Sequence, residues 1–162
     1  MAITASACVL LLAFTTLIHY EVLFGLTAAL PRFRIPGRAK LIAVILGAFA
    51  AHAAEVALYA VVIHVLIHQF DLGTLGSAGA TSFSATFYFS AETYTSLGYG
   101  DIVPTGNLRL LAGFEALNGL LLIGWSASYT YIAMRRFWDT DGQGRAASTL
   151  SSDRRDGDGL DC

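Results

Sequence analysis

Two glycines flank one aromatic residue in a short run past the middle of the chain. Residues 95–101 read Thr-Ser-Leu-Gly-Tyr-Gly-Asp. Glycine is needed where the backbone adopts conformations closed to residues with a Cβ, and a strand whose carbonyls all point one way adopts such conformations. A ring of such carbonyls can replace the hydration shell of a cation. The spacing therefore indicates chemistry of the backbone itself, in which carbonyl oxygens coordinate a dehydrated ion.

Long apolar blocks surround this run and must position it. The chain has 162 residues, of which 55% are apolar and 14% charged. The apolar residues gather in three blocks, at about 3–30, 41–67 and 108–134. Each block exceeds the roughly 20 residues that cross a bilayer as a helix. We therefore expect an all-α membrane protein with three transmembrane helices.

Basic residues set the expected orientation. The linker 31–40 and the end of the third block are basic, whereas 68–107 contains no Lys or Arg. The basic residues are Arg32, Arg34, Arg38, Lys40, Arg135 and Arg136. Because basic loops stay on the cytoplasmic side, we expect the linker and the C-terminus to be cytoplasmic, and the N-terminus and residues 68–107 to lie outside.

Two shorter segments complete the predicted organisation. Residues 81–93 are too few to span, and Phe83, Phe87 and Tyr88 recur there at helical spacing, which indicates a re-entrant helix leading into the glycine run. The glycine-rich segment 69–80 before it indicates a flexible outer loop. Residues 139–162 alternate Asp, Gly, Ser and Arg, which is typical of a disordered tail.

Residues 96–100, Ser-Leu-Gly-Tyr-Gly, resemble the selectivity filter of the pore-loop potassium channel family, which reads Thr-Val-Gly-Tyr-Gly. We call residues 95–100 the filter segment. The resemblance implies a small bacterial inner-membrane channel with an extra N-terminal helix (1–30), a basic cytoplasmic loop (31–40), a pore domain (41–138) and a cytoplasmic tail (139–162). It also implies a homotetramer, in which the partners are three identical subunits and the lipid bilayer, with K⁺ ions in a filter on the four-fold axis.

The function that the resemblance implies is passive, potassium-selective conduction, with no enzymatic activity. The net charge of -2 does not indicate binding to nucleic acid. Because the predicted tail is short, we expect no soluble ligand-binding domain in it. Three alternatives stay open. The chain could be a weakly selective cation channel, a non-conducting sensor or subunit with a channel-like fold, or a subunit of an ion-uptake transporter.

The resemblance assigns ion binding to the whole filter segment. These residues are Thr95, Ser96, Leu97, Gly98, Tyr99 and Gly100. The Ser96 hydroxyl would close the innermost ion site, where the family has threonine, and Leu97 replaces a β-branched residue. Supporting positions behind the segment are Tyr88, Phe89, Glu92 and Asp101. Glu92 and Asp101 either share a proton, since two close carboxyls do not both ionise cheaply, or Asp101 is a charge at the outer mouth.

Three residues of the third block are gating candidates. Gly119 lies near the depth of the family's gating glycine, although close helix packing is an equal alternative, and packing is favoured for Gly124. Glu115 and Asn118 share a helix face. An intramembrane carboxyl is a functional candidate, and Glu115 either lines a cavity or bonds the re-entrant helix.

Histidines and carboxylates recur in the first two blocks. His19 and His52 both lie about 16–18 Å from the inner end, so antiparallel helices would bring them, with Glu21 and Glu55, to one level. This group is either a proton-sensitive latch or a buried polar clasp. His64 and His68 are spaced i, i+4, which allows metal ligation but favours ligand-free interfacial histidines. No metal site other than that for K⁺ is predicted.

Overall fold

Four α-helices carry the described part of the chain. The computed structural model describes residues 1–33, 35–76 and 82–157, with side chains described as far as residue 138. Helix α1 spans Ala2–Ala29, α2 Gly37–Phe70, α3 Phe83–Tyr94 and α4 Leu108–Gly157. Within these ranges no strand forms, and the only bridge pairs Leu75 with Pro104.

Three helices are long and apolar enough to cross a membrane. The qualifying segments are Ala2–Arg32, Gly37–Phe70 and Leu108–Trp138. The predicted all-α fold with three membrane-spanning helices is thereby confirmed. Helix α3 has 12 residues, so it is about 18 Å long and too short to cross.

Proline and small polar residues determine where the helices begin and end. Pro31 lies in a single 3₁₀ turn, Leu30–Arg32, that ends α1, and Pro36 directly precedes α2. Proline is tolerated in the first turn of a helix, because a backbone N–H at that position would have no partner within the helix. The basic linker predicted over 31–40 is therefore shorter, since α2 already begins at Gly37. Ser82 caps α3 and accepts a hydrogen bond from the N–H of Ala85 at 3.3 Å.

Helix α2 is the centre of the packing. It contacts α1, α3 and α4, and α1 also packs directly against α4. The main core therefore draws buried side chains from all four helices. They include Leu11 of α1, Tyr59 and Ile63 of α2, Phe89 and Tyr94 of α3, and Leu111 of α4. The extra N-terminal helix is consequently an integral part of the helix packing within one chain.

The loop after α2 pairs with the segment that follows the filter segment. The N–H of Thr105 donates to the carbonyl of Thr74 at 2.9 Å, and the N–H of Gly76 donates to the carbonyl of Val103 at 3.0 Å. Gly73 lies so close to this segment that a Cβ would come 2.3 Å from the carbonyl oxygen of Thr105. The prediction of a flexible loop over 69–80 is therefore wrong for residues 72–76, while residues 77–80 lie outside the described part.

Helix α4 continues well past its apolar segment. Its backbone is helical through Gly157, although the sequence predicts a disordered tail over 139–162. The chain has no proline after Pro104, so no residue sterically blocks the helix from continuing. Residues 158–162 of the predicted tail lie outside the described residues.

Candidate functional site

The backbone of the filter segment alternates in handedness. Ser96, Gly98 and Gly100 have positive φ angles of 56°, 54° and 81°, whereas Thr95 has a φ of -81°. Leu97 and Tyr99, between them, are not among the positive-φ residues. Left-handed conformation at every second residue turns successive N–H groups to one side of the chain. Two of the three left-handed positions are glycines, for which that conformation has no steric cost.

Hydrogen bonds to the end of α3 fix this alternation. The N–H groups of Leu97 and Gly98 donate to the carbonyl oxygen of Glu92 at 2.9 and 3.4 Å. The N–H of Tyr99 donates to the carboxylate of the same residue, at 3.1 Å from Oε1. In a trans peptide the N–H and the preceding carbonyl point in opposite directions. The carbonyls of Ser96, Leu97 and Gly98 therefore point away from α3.

The filter segment lies at the surface of a single chain. All six of its residues are exposed, and the side chains of Leu97 and Tyr99 are 58% and 70% exposed. One chain thus presents one column of carbonyl oxygens, with no second column opposite. Chemically, this arrangement offers oxygen ligands to a cation on one side only.

The predicted supporting residues lie close behind the segment but play different parts. Phe89 is buried in the core, and the nearly buried Glu92 is bound to the segment's backbone. Asp101 is exposed, and its Oδ1 accepts from the N–H of Ile102 at 3.1 Å and lies 3.5 Å from the Tyr88 hydroxyl. The Tyr88 hydroxyl also bonds the Glu92 carboxyl, so one phenol bridges the two carboxyls. The exposure of Asp101 fits the outer-mouth alternative, and the bridging Tyr88 leaves the paired alternative open.

Five side chains from all four helices form one polar cluster, which we call the four-helix cluster. His19 Nδ1 lies 2.9 Å from Glu55 Oε1, and His52 Nδ1 lies 3.2 Å from Glu55 Oε2. The Tyr94 hydroxyl donates to Glu55 Oε2 and lies 2.9 Å from His52 Nδ1. Ser126 Oγ lies 3.1 Å from Nε2 of both histidines. Tyr94 is the last residue of α3 and directly precedes the filter segment. Through Tyr94 the cluster links α3 to the other three helices.

Sequence reasoning found three of these five residues. The predicted Glu21 is not among them, since it is exposed on α1. It follows His19 by two positions, which places it about 200° around the helix. Tyr94 and Ser126 were missed, because their spacing relative to the histidines follows no local period.

Glu115 of α4 bonds the short helix α3. The Ser90 hydroxyl contacts both Glu115 Oε1 and the carbonyl oxygen of Val56, the latter at 2.9 Å. The Ser90 hydroxyl has one hydrogen for these two acceptors, so both contacts are full hydrogen bonds only if Glu115 is protonated. Glu115 is fully buried and its Oε2 has no partner among the described residues. Of the two predicted alternatives, the geometry is that of a bond to α3.

Asn118 of α4 connects α1 to α2 through hydrogen bonds. Its amide nitrogen donates to the Thr15 hydroxyl at 2.7 Å and to the Tyr59 hydroxyl at 3.2 Å. All three side chains are buried. The sequence made Asn118 a gating candidate. In the structure its hydrogen bonds hold α1, α2 and α4 together.

Gly119 and Gly124 differ in their surroundings. A Cβ at Gly119 would come 1.9 Å from the carbonyl oxygen of Tyr94, whereas nothing in the chain lies within 4 Å of a Cβ at Gly124. Within one chain, Gly119 therefore makes the close helix contact that the sequence favoured for Gly124, and Gly124 makes none with the described residues.

The histidine pair near the end of α2 is stacked. The rings of His64 and His68 are 4.1 Å apart, and His68 Nδ1 lies 2.8 Å from the carbonyl oxygen of His64. Its Nδ1 is therefore engaged with the backbone of its own helix. His64 Nδ1 lies 3.5 Å from the Thr86 hydroxyl of α3.

Comparison with known proteins places this geometry in a family. A family model described as an ion channel matches residues 41–136, more than half of the chain. A stretch of 56 residues is 39% identical to the inward rectifier potassium channel Kirbac3.1 of Paramagnetospirillum magnetotacticum. That stretch is 34% of this chain and 19% of the relative, so the chain spans about a fifth of that protein's length. No solved structure matches the chain.

Proposed function

Because this chain belongs to the ion channel family, we propose that it conducts potassium ions selectively and passively across a membrane. The observation that carries this proposal is the alternating handedness at Ser96, Gly98 and Gly100. Together with the N–H bonds to α3, it turns consecutive carbonyls to the side away from the helix. Such carbonyls can replace the water around a dehydrated potassium ion. The potassium channel named among the relatives supports the same ion.

Four copies of the chain around one axis are the assembly that we propose. One chain supplies a single column of carbonyls, and a cage around an ion needs a ring of them. The exposed side chains of Leu97 and Tyr99 are bulky, and neighbouring subunits would cover them. Closed cyclic symmetry provides both the ring and the cover.

We further propose that the filter segment enters from the outer side of a bacterial inner membrane. Arg32, Arg38 and Lys40 lie at the α1–α2 connection, and Arg135 and Arg136 lie near the far end of the apolar part of α4. The positive-inside rule then assigns these ends to the cytoplasm and the N-terminus to the outside.

Flux into liposomes tests the proposed activity. Purified full-length protein is reconstituted, and potassium and sodium uptake are measured separately at outside pH 5 and pH 8. We expect potassium flux that greatly exceeds sodium flux. Cross-linking in the same vesicles should yield species up to a tetramer.

The other outcomes identify the alternatives. Equal potassium and sodium fluxes would mean that Ser96 and Leu97 leave the filter weakly selective. The absence of flux at both pH values, from protein that cross-links to tetramers, would argue for a non-conducting subunit and against the proposal.

A further inference from the structure

The four-helix cluster brings metal-ligating atoms together from distant parts of the chain. The ligand atoms of His19, His52 and Glu55 all lie within 4.8 Å of one another. Both histidines present Nδ1 to the same carboxylate, at 2.9 and 3.2 Å. The Tyr94 hydroxyl adds an oxygen 2.9 Å from His52 Nδ1. Two imidazoles, a carboxylate and a phenol form a nitrogen and oxygen ligand set suited to borderline divalent metals.

Three potential ligand atoms of the cluster lie close together. His52 Nδ1, Glu55 Oε2 and the Tyr94 hydroxyl oxygen form a triangle in which each atom lies within hydrogen-bonding distance of the other two. Tyr94 contributes one hydrogen, an ionised carboxylate contributes none, and His52 Nδ1 presents either a hydrogen or a lone pair, of which only the lone pair binds a metal. A tetrahedral site with bonds of about 2.0 Å has ligand–ligand edges of about 3.3 Å. The two edges at His52, 2.9 and 3.2 Å, are close to that length, whereas the edge between Glu55 Oε2 and the Tyr94 hydroxyl is shorter and has to lengthen when a metal binds.

Ser126 holds both imidazole rings with Nδ1 toward the Glu55 carboxylate. Its Oγ lies 3.1 Å from Nε2 of His19 and 3.1 Å from Nε2 of His52. Each ring is therefore held by one nitrogen, with the other facing Glu55. Outer hydrogen bonds to the second ring nitrogen are what fix the orientation of metal-ligating histidines.

The setting of the cluster suits a held ion. His19, Glu55 and Tyr94 are buried, which excludes competing water, and the His52 side chain is 20% exposed, which leaves one edge accessible. The ligands come from α1, α2 and α3, and their outer partner comes from α4.

We propose that the four-helix cluster binds one divalent transition metal ion of the zinc type. Its ligands are His19 Nδ1, His52 Nδ1, a Glu55 oxygen and the Tyr94 hydroxyl. The bound ion joins α1, α2 and α3 at the residue that precedes the filter segment. This site does not involve the conducted ion. A failure of the metal-binding test would therefore leave the proposed channel activity untouched, and the reverse also holds.

Cobalt titration of purified full-length protein tests the site, because tetrahedral Co²⁺ gives a visible absorption band. The His64→Ala/His68→Ala double variant serves as the background, since it removes the other two histidines. In that background we expect one Co²⁺ per chain, a visible band, displacement by Zn²⁺ and a higher unfolding temperature with metal. His52→Gln should abolish the band. Ser126→Ala should weaken binding about 10- to 100-fold while keeping the ligands.

Two results would overturn the proposal. Binding that disappears in the double variant would assign the metal to the His64–His68 pair, and an absence of binding in the wild type would leave a purely hydrogen-bonded cluster. Should His52→Gln fail to fold, Tyr94→Phe removes only a hydroxyl and must alter the cobalt spectrum. An unchanged spectrum in Tyr94→Phe would contradict the proposed four-ligand site.

Discussion

Gly119 of α4 lies directly against the carbonyl of Tyr94, the last residue of α3. A Cβ built at Gly119 would come 1.9 Å from that oxygen and 2.8 Å from the carbonyl carbon. Because both contacts are backbone atoms, no side-chain rotation relieves them. This close approach sets the distance between α4 and the end of the helix that supports the filter segment.

Gly119→Ala should therefore move α4 away from α3 and disturb the filter segment. Overpacking of this kind costs about 1–3 kcal/mol, and the displacement begins one residue before Thr95. We expect a lower unfolding temperature in detergent and reduced potassium flux in liposomes. Gly124→Ala is the matched control, since nothing lies within 4 Å of its Cβ and alanine favours a helix by up to about 1 kcal/mol. Equal behaviour of the two variants would contradict the packing role of Gly119.

Glu92 should support the filter segment through its carboxylate. Its Oε1 accepts from the N–H of Tyr99 at 3.1 Å, so Glu92→Ala leaves that N–H without a partner. A hydrogen bond to a charged group contributes about 1.5–3 kcal/mol, so the ordered filter conformation should be disfavoured roughly 10-fold or more. The measurement is the potassium-to-sodium flux ratio, which we expect to fall.

Two further variants separate the hydrogen bond from the charge. Glu92→Gln keeps an oxygen acceptor and should retain most of the ratio. Asp101→Asn removes an exposed carboxylate and should change the rate of flux more than the ratio. If Glu92→Ala and Asp101→Asn lowered the ratio equally, the two carboxyls would act as a pair, bridged by the Tyr88 hydroxyl that contacts both.

The unusual backbone at the Gly-Tyr-Gly run and the three spans were predictable because their signals are local. An apolar block of more than 20 residues and a Gly-Tyr-Gly spacing are read from adjacent residues alone. The position of Gly119 was not predictable in the same way. Nothing near Gly119 in the sequence distinguishes it from Gly124, and only the approach of α3 does so.

The four-helix cluster has the same limit. His19, His52 and Glu55 were expected to meet because antiparallel helices bring equal depths together. Depth does not specify the direction in which a side chain points, and Glu21 consequently faces outward. Ser126 depends on where α4 crosses α1 and α2, which is a tertiary relationship.

Glu115 should act as a neutral acid that holds α3 in place. Because Ser90 already donates to the carbonyl of Val56 or to Glu115, the acid must supply a hydrogen for both contacts to be hydrogen bonds. Glu115→Gln keeps a donor and an acceptor without a charge, and we expect near-wild-type stability and flux. Glu115→Ala removes the partner of Ser90 and leaves a cavity, which should cost about 1–3 kcal/mol. Thermal unfolding in detergent compares the two, and strong destabilisation by Glu115→Gln would show that the residue is ionised.

Gly98 should be required for its backbone conformation rather than for space. Its φ is +54°, yet nothing lies within 4 Å of a Cβ built there. A left-handed conformation costs a residue with a Cβ about 1–2 kcal/mol, which is enough to favour a flipped peptide but not to unfold the protein. We expect Gly98→Ala to keep the unfolding temperature while potassium flux or its ratio to sodium flux falls. Gly25→Ala is the control, because Gly25 lies within α1 and is equally uncrowded. Wild-type flux and selectivity in Gly98→Ala would mean that carbonyl alignment at this position does not carry the conduction.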